Sequence, residues 1–157
     1  MMAQRVGGPG LGRLRGGPAH AGDRRTDRGT MLTTDEIKKV VETYAAAHTA
    51  GDIDGLMALF SPDATVADPV DQPEMRGAEA VRDFFATTHA NVDSLELQIT
   101  GPIRAVGRWA AVPLRAVTTA SGGRFAVDII DVFTFGDDGK ITDMRAYWTG
   151  SDVASLD

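Results

Sequence analysis

No cysteine occurs in the 157 residues. That excludes a disulfide framework and a cysteine-built zinc site. No apolar run approaches the about 20 residues a membrane-crossing helix needs. There is no Gly-rich phosphate loop. The acidic pair Asp137-Asp138 lacks the further ligands of a calcium loop and reads as a hairpin turn. Tyrosine is scarce, with only Tyr44 and Tyr147. No internal repeat is visible. What remains is a chain long enough for one domain with a proper core.

The formal net charge of −6 is unevenly placed. Residues 1–30 hold six Arg and two Asp, so they are basic, and residues 31–157 carry a net −10. An acidic folded part would repel phosphate, which argues against a nucleic-acid face. The first thirty residues also hold eight of the eighteen glycines, two prolines and no aromatic residue. Such a stretch cannot bury enough apolar surface to offset its ordering entropy. The expected division is a disordered Gly/Arg-rich tail over 1–30 and a folded domain over 31–157.

The folded part begins on Thr33-Thr34-Asp35-Glu36, a capping-box pattern. The helix it starts should run to Ala50 and stop at Gly51. Its apolar stripe, Ile37, Val40, Val41, Tyr44, Ala45 and His48, points Tyr44 inward, where its hydroxyl needs a partner or a ligand. A second helix is predicted from Asp52 through Phe60, a turn at Ser61-Pro62-Asp63, a short strand over 64–67, and a third helix from Gly77 to His89. Period-two patterning then predicts four strands, over 95–103, 108–119, 124–135 and 140–149. Gly122-Gly123 and Asp137-Asp138-Gly139 supply the hairpin turns. Helices followed by an antiparallel meander give an α+β domain, a curved sheet wrapped on the long helix and enclosing an apolar cavity.

Three polar residues stand out against this pattern. Asp131 shares a strand face with Phe125, Val127, Ile129, Phe133 and Phe135. A carboxyl there must find a strong partner, reach water, or stay protonated. A structural aspartate bonded to Tyr44 or Arg145 would also satisfy the pattern. Asp68 precedes Pro69 at a strand end, where Asp is commonly a turn starter. With Tyr44 and a protonated Asp131 as donors and Asp68 as base, the set suits proton transfer at carbon. His48 and His89 read as structural.

Several motifs carry a resemblance: Gly51-Asp52, Ala64-Thr-Val-Ala-Asp-Pro69, Thr100-Gly-Pro-Ile-Arg104, Val127-Asp-Ile-Ile-Asp-Val132 and Ala146-Tyr-Trp148. In this order, over about residues 34–150, the chain resembles the bacterial ketosteroid isomerases. These belong to a superfamily of cone-shaped α+β domains with nuclear transport factor 2 and the polyketide cyclases. The resemblance implies a cofactor-free, metal-free enzyme that moves a β,γ double bond into conjugation in a 3-oxo-Δ5-steroid. It implies Asp68 as the proton-shuttling base, with Tyr44 and protonated Asp131 as the oxyanion donors. It places Phe85, Val112, Leu114, Met144, Ala146 and Trp148 on the substrate-pocket wall. Ala116 joins Val112 and Leu114 by strand parity, and Phe60 is a further candidate for the lining. Phe60 and Phe85 also stand where relatives carry tyrosines hydrogen-bonded in series with the oxyanion tyrosine.

Two other readings compete. A polyketide cyclase-like or epoxide hydrolase-like enzyme of the same fold would want an Asp-Arg-Asp cluster, and parity turns Arg115 away from Val112 and Leu114. A non-catalytic carrier of hydrophobic ligands needs no base at all. The expected partners are a small apolar ketone and a second copy of the chain, with no nucleic acid and no membrane. The expected compartment is the cytoplasm.

Overall fold

The computed structural model describes residues 31–157; the tail expected over 1–30 lies outside the described residues. The elements in chain order are helices α1 (Thr34–Ala50) and α2 (Ile53–Met57), strands β1 (Phe60–Ala67) and β2 (Met75–Arg76), and helix α3 (Ala78–Ala90). Then come β3 (Ser94–Ile99), β4 (Arg104–Val106), β5 (Trp109–Ala120), β6 (Gly123–Phe135), β7 (Ile141–Tyr147), a 3-10 turn (Gly150–Asp152) and β8 (Val153–Ser155). The fold is α+β, three helices on one large curled sheet.

Helix α1 starts as the sequence predicts. The Thr33 hydroxyl accepts from the Glu36 amide, and the Glu36 carboxylate accepts from the Thr33 amide at 2.7 Å. It stops at Gly51, whose φ of 65° is left-handed. The middle of the chain differs from expectation. Helix α2 ends at Met57, and Phe60 opens β1, so the strand is longer than 64–67 and runs through Pro62. A proline has no amide to donate, and strand β1 tolerates it because its register with β7 is interrupted between Phe60 and Thr65. The expected strand over 95–103 stops at Ile99 as β3, and a short strand that was not expected, β4, follows at Arg104; both pair with β5. The β5–β6 hairpin turns at Ser121-Gly122 rather than Gly122-Gly123. Both residues have positive φ (51° and 77°), as a two-residue turn matched to strand twist demands.

The strand order is β2-β1-β7-β6-β5-β3, with β4 also on β5 and β8 on β6. All pairs are antiparallel except β1 with β7, which is parallel. This mixed pairing was not legible in the meander pattern, and it brings the end of β1 beside the middle of the sheet. The concave face packs on the helices through Ile37, Val41, Tyr44, Leu56, Val81 and Phe85 from above, and Val66, Val112, Leu114, Phe133, Phe135 and Met144 from below. Among the described residues no helix is long and apolar enough to cross a membrane.

Candidate active site

Strand register places the three polar residues. Asp131 on β6 lies opposite Val112 on β5 and opposite Ala146 on β7. On β1, Ala67 pairs with Arg145 in the parallel sense, so Asp68, one residue on, comes level with Ala146. Val112, Asp131 and Ala146 thus form one row across β5, β6 and β7, and Asp68, just past the end of β1, extends it. Tyr44, buried on α1, projects toward the same region. Its ring sits edge-on to Phe133, the inward neighbour of Asp131 two residues along, at 5.0 Å between centroids.

The environments of the three groups differ. Asp131 is 3% exposed. Burial pushes its pKa up to about 8, the negative charge of Asp68 adds to the rise, and the Tyr44 hydroxyl opposes it. Below that value Asp131 is a neutral acid with a proton to donate. Burial also raises the Tyr44 phenol well above its ordinary range, helped by the charges of Asp131 and Asp68. The Tyr44 hydroxyl and the Asp131 carboxyl are close enough for each to shift the other's pKa. Arg145 does not serve Asp131. It pairs with Glu74 and Asp143, whose other oxygen accepts from Thr65.

Asp68 is half-buried. Burial raises its pKa above the usual 3.8, and the Trp148 indole opposes that rise by donating to Asp68 Oδ1 at 2.7 Å. Trp148 was expected only as pocket wall. Its role as the partner of the carboxylate escaped the sequence because 80 residues separate the two. The Asp68–Pro69 peptide is cis. Replacing Trp148 with Phe keeps an aromatic wall but removes a hydrogen bond to a charged group, of about 1.5–3 kcal/mol. The expected outcome is a higher Asp68 pKa, read as a shift of the acid side of the pH–activity profile to higher pH. An unmoved acid side would show that the indole does not tune Asp68.

The expected lining splits by depth. Val112, Leu114, Phe85, Met144, Ala146 and Phe60 are buried, as is Ala116 at 9% exposure. Trp148 is half-buried, together with Leu97, Ile99 and Ile129, which share the concave face and were not anticipated as lining. All four pack against the buried core. Phe125, expected on the same inward face, is 39% exposed, because that end of β6 projects past the helices. Phe60 and Phe85 pack as rings, Phe60 at 6.4 Å from Tyr44 and 5.5 Å from Phe85, and offer Tyr44 no hydrogen bond. Arg115 lies on the outer face, paired with Asp128 at 2.8 Å, and Arg104 is exposed. No arginine among the described residues joins Asp68 and Asp131. No cluster of three or more metal-type ligands occurs among the described residues.

A curled sheet backed by helices, with Asp131, Tyr44 and Asp68 brought to one region of its concave side, defines an NTF2-like α+β domain. The SnoaL-like domain family matches residues 41–144. The chain is 38% identical over 118 residues to Steroid Delta-isomerase of Nocardioides simplex, covering 75% of this chain and 94% of that protein. Epoxide hydrolase LasB of Streptomyces lasalocidi is 28% identical over 142 residues, which are 76% of this chain and half of that protein. Among solved structures, the epoxide hydrolase/cyclase-like enzyme SalBIII, described for pyran ring formation in the polyether salinomycin, superposes with a TM-score of 0.72 at 28% identity. It covers 78% of this chain and 97% of its own. The chain belongs to the ketosteroid isomerase family, within the SnoaL-like branch of the NTF2-like superfamily. These relatives are enzymes.

Proposed function

We propose that the protein isomerises a 3-oxo-Δ5-steroid, or a similar β,γ-unsaturated ketone, to the conjugated enone. The observation that carries this reading is the pairing of a neutral buried acid with an indole-held carboxylate in one row of the sheet. In this mechanism the Asp68 carboxylate removes the proton from the carbon between the carbonyl and the double bond. The electron pair moves onto the ketone oxygen as a dienolate. Tyr44 and protonated Asp131 donate hydrogen bonds to that oxygen as its charge grows. Asp68, now protonated, returns the proton to the far carbon of the dienolate, and the base is regenerated. No cofactor enters the balance. The test is the rise in ultraviolet absorbance of the conjugated enone when protein meets 5-androstene-3,17-dione. Binding without conversion would move the reading to a carrier or to another ketone.

The names of LasB and SalBIII favour a second reading, epoxide opening or ring closure on the same fold. That reading would use Asp68 and Asp131 as the acid and base pair. The outward pairing of Arg115 with Asp128 argues against the Asp-Arg-Asp version of it.

We further propose a homodimer formed through the convex face of the sheet. Val106 (73% exposed), Trp109, Ile130 and Tyr147 leave apolar area there, and Val106 and Trp109 flank a groove floored by Ala111 and Val132. Such area is normally covered by association. Light scattering should give twice the chain mass at micromolar concentration, and Trp109→Glu should shift it toward the monomer. A monomeric mass for the wild type would remove the proposal.

A further inference from the structure

We propose that the His48–His89 pair is the positioning device of Tyr44, with His48 fixing the tyrosine ring and His89 fixing His48. The proposal rests on Tyr44 acting as an oxyanion donor, and it adds two residues outside the reacting set.

Tyr44 lacks a tyrosine relay to orient it, because Phe60 and Phe85 fill those positions. Its ring is held by packing against neighbouring rings. The nearest ring is His48, one turn further along α1, edge-on at 4.7 Å and 78°. Phe133 follows at 5.0 Å and Phe60 at 6.4 Å. Of these three, His48 is the one that is itself held by a hydrogen bond. Its Nδ1 lies 3.1 Å from His89 Nε2, across from α1 to the last turn of α3.

The geometry of the pair is specific. The two ring planes differ by 17° and the centroids are 5.3 Å apart. That separation is close to the 3.1 Å N···N distance plus one ring radius at each end. The rings therefore meet edge to edge, nearly in one plane, and share one proton along the line between them. Two ring nitrogens aimed at each other at 3.1 Å leave no place for a metal ion between them, so the pair is a hydrogen bond rather than half of a metal site. Phe85 closes the other side of His48 at 5.1 Å and 84°. His89 is half-buried and borders a solvent-open groove beside Thr49, Gly51 and Asp93.

The remaining nitrogen, His48 Nε2, is buried with no partner among the described residues. An apolar ring of the same size would fill the space without leaving a polar atom unpaired. What histidine adds is the Nδ1 bond, which stops the ring from rotating against Tyr44. The rings of Tyr44 and Phe85 pack edge-on against the His48 ring, and an N–H is better placed among aromatic rings than a bare lone pair. This assigns the His48 proton to Nε2, and makes His89 Nε2–H the donor to His48 Nδ1. Burial, reinforced by His89, holds the His48 pKa down to about 3, so the ring beside Tyr44 stays uncharged under ordinary conditions.

The test compares His89→Ala with His89→Gln, whose side-chain amide can still donate to His48 Nδ1. Tyr147→Phe serves as background, since it leaves Tyr44 the sole tyrosine and makes its labelled ring the one tyrosine signal in the NMR spectrum. In His89→Ala the Tyr44 ring should flip faster. The kcat on the steroid ketone should fall about ten-fold, with KM changed less than about two-fold, as a small misplacement of a reacting group predicts. Gln should restore both. An unchanged ring and an unchanged kcat in His89→Ala would overturn the proposal, and so would a loss that Gln does not repair. If the wild type shows no turnover, the isomerase reading fails, but the ring measurement still decides whether the pair holds Tyr44.

Discussion

Asp68→Asn is expected to cut turnover of the steroid ketone by about 10²–10⁴-fold, the usual contribution of a general base, while leaving ligand affinity nearly unchanged. Asparagine has the same shape and can still accept from the Trp148 indole through its carbonyl oxygen, a bond of 2.7 Å in the native protein. It cannot take a proton from carbon. The substitution therefore separates holding the substrate from reacting with it. The absorbance of the conjugated enone reads the first-order loss, and quenching of Trp148 fluorescence reads binding. Asn also relieves the burial of a carboxylate whose pKa is already raised, so the variant should melt no lower than the wild type. Turnover kept within about two-fold, against the 10²-fold lower bound for a lost base, would show that Asp68 is not the base.

The second large effect concerns Asp131 and pH. As an oxyanion donor it must carry its proton, so activity should fall on the alkaline side as it ionises near about 8. On the acid side activity should fall as Asp68 takes up a proton, above the ordinary 3.8. Asp131→Asn keeps a donor but cannot ionise, so the alkaline fall should vanish. Asp131→Ala loses the donor, and kcat should drop about 10²–10³-fold. An alkaline fall that persists in Asp131→Asn would show that another group controls it.

The same group leaves a mark on stability. Asp131 has an ordinary pKa of 3.8 and a folded pKa of about 8. Its stabilising contribution is fully present below the first value. Between the two values the folded chain holds the extra proton, and stability is lost with rising pH at about 1.4 kcal/mol per pH unit. Asp68 acts in the same sense. His48 acts oppositely, because its folded pKa of about 3 lies below its ordinary 6.5, so stability rises with pH between them. The opposing slopes overlap up to about 6.5, and from there to about 8 the Asp131 slope has no counterweight from His48. The wild-type melting temperature should fall across that window, and that of Asp131→Asn should fall less.

Much of this was legible in the sequence, because it depends on local periodicity. The capping box on Thr33 and Glu36 and the stop at Gly51 are backbone chemistry confined to a few residues, and both stand as expected. The inward face of β6 follows from strand parity, and parity alone put Asp131 among Ile129, Phe133 and Phe135 and turned Arg115 outward. Where local signals conflicted, the reading failed. Ser61-Pro62-Asp63 looks like a turn, yet it lies inside β1, in the stretch where the register with β7 shifts, with Phe60 and Thr65 paired to β7 on either side of it. Contacts between distant segments were decided by tertiary structure. The parallel pairing of β1 with β7 brings Asp68 level with Asp131, and no periodicity encodes which strands become neighbours. The Trp148 bond to Asp68 spans 80 residues, and the His48 bond to His89 spans 41 and joins two helices. The sequence by itself determined which side chains face inward, since that is set by the repeat of helix and strand. Which of them touch was decided only when the sheet curled and the helices packed on it, because burial, desolvation and hydrogen bonding depend on what the fold brings alongside.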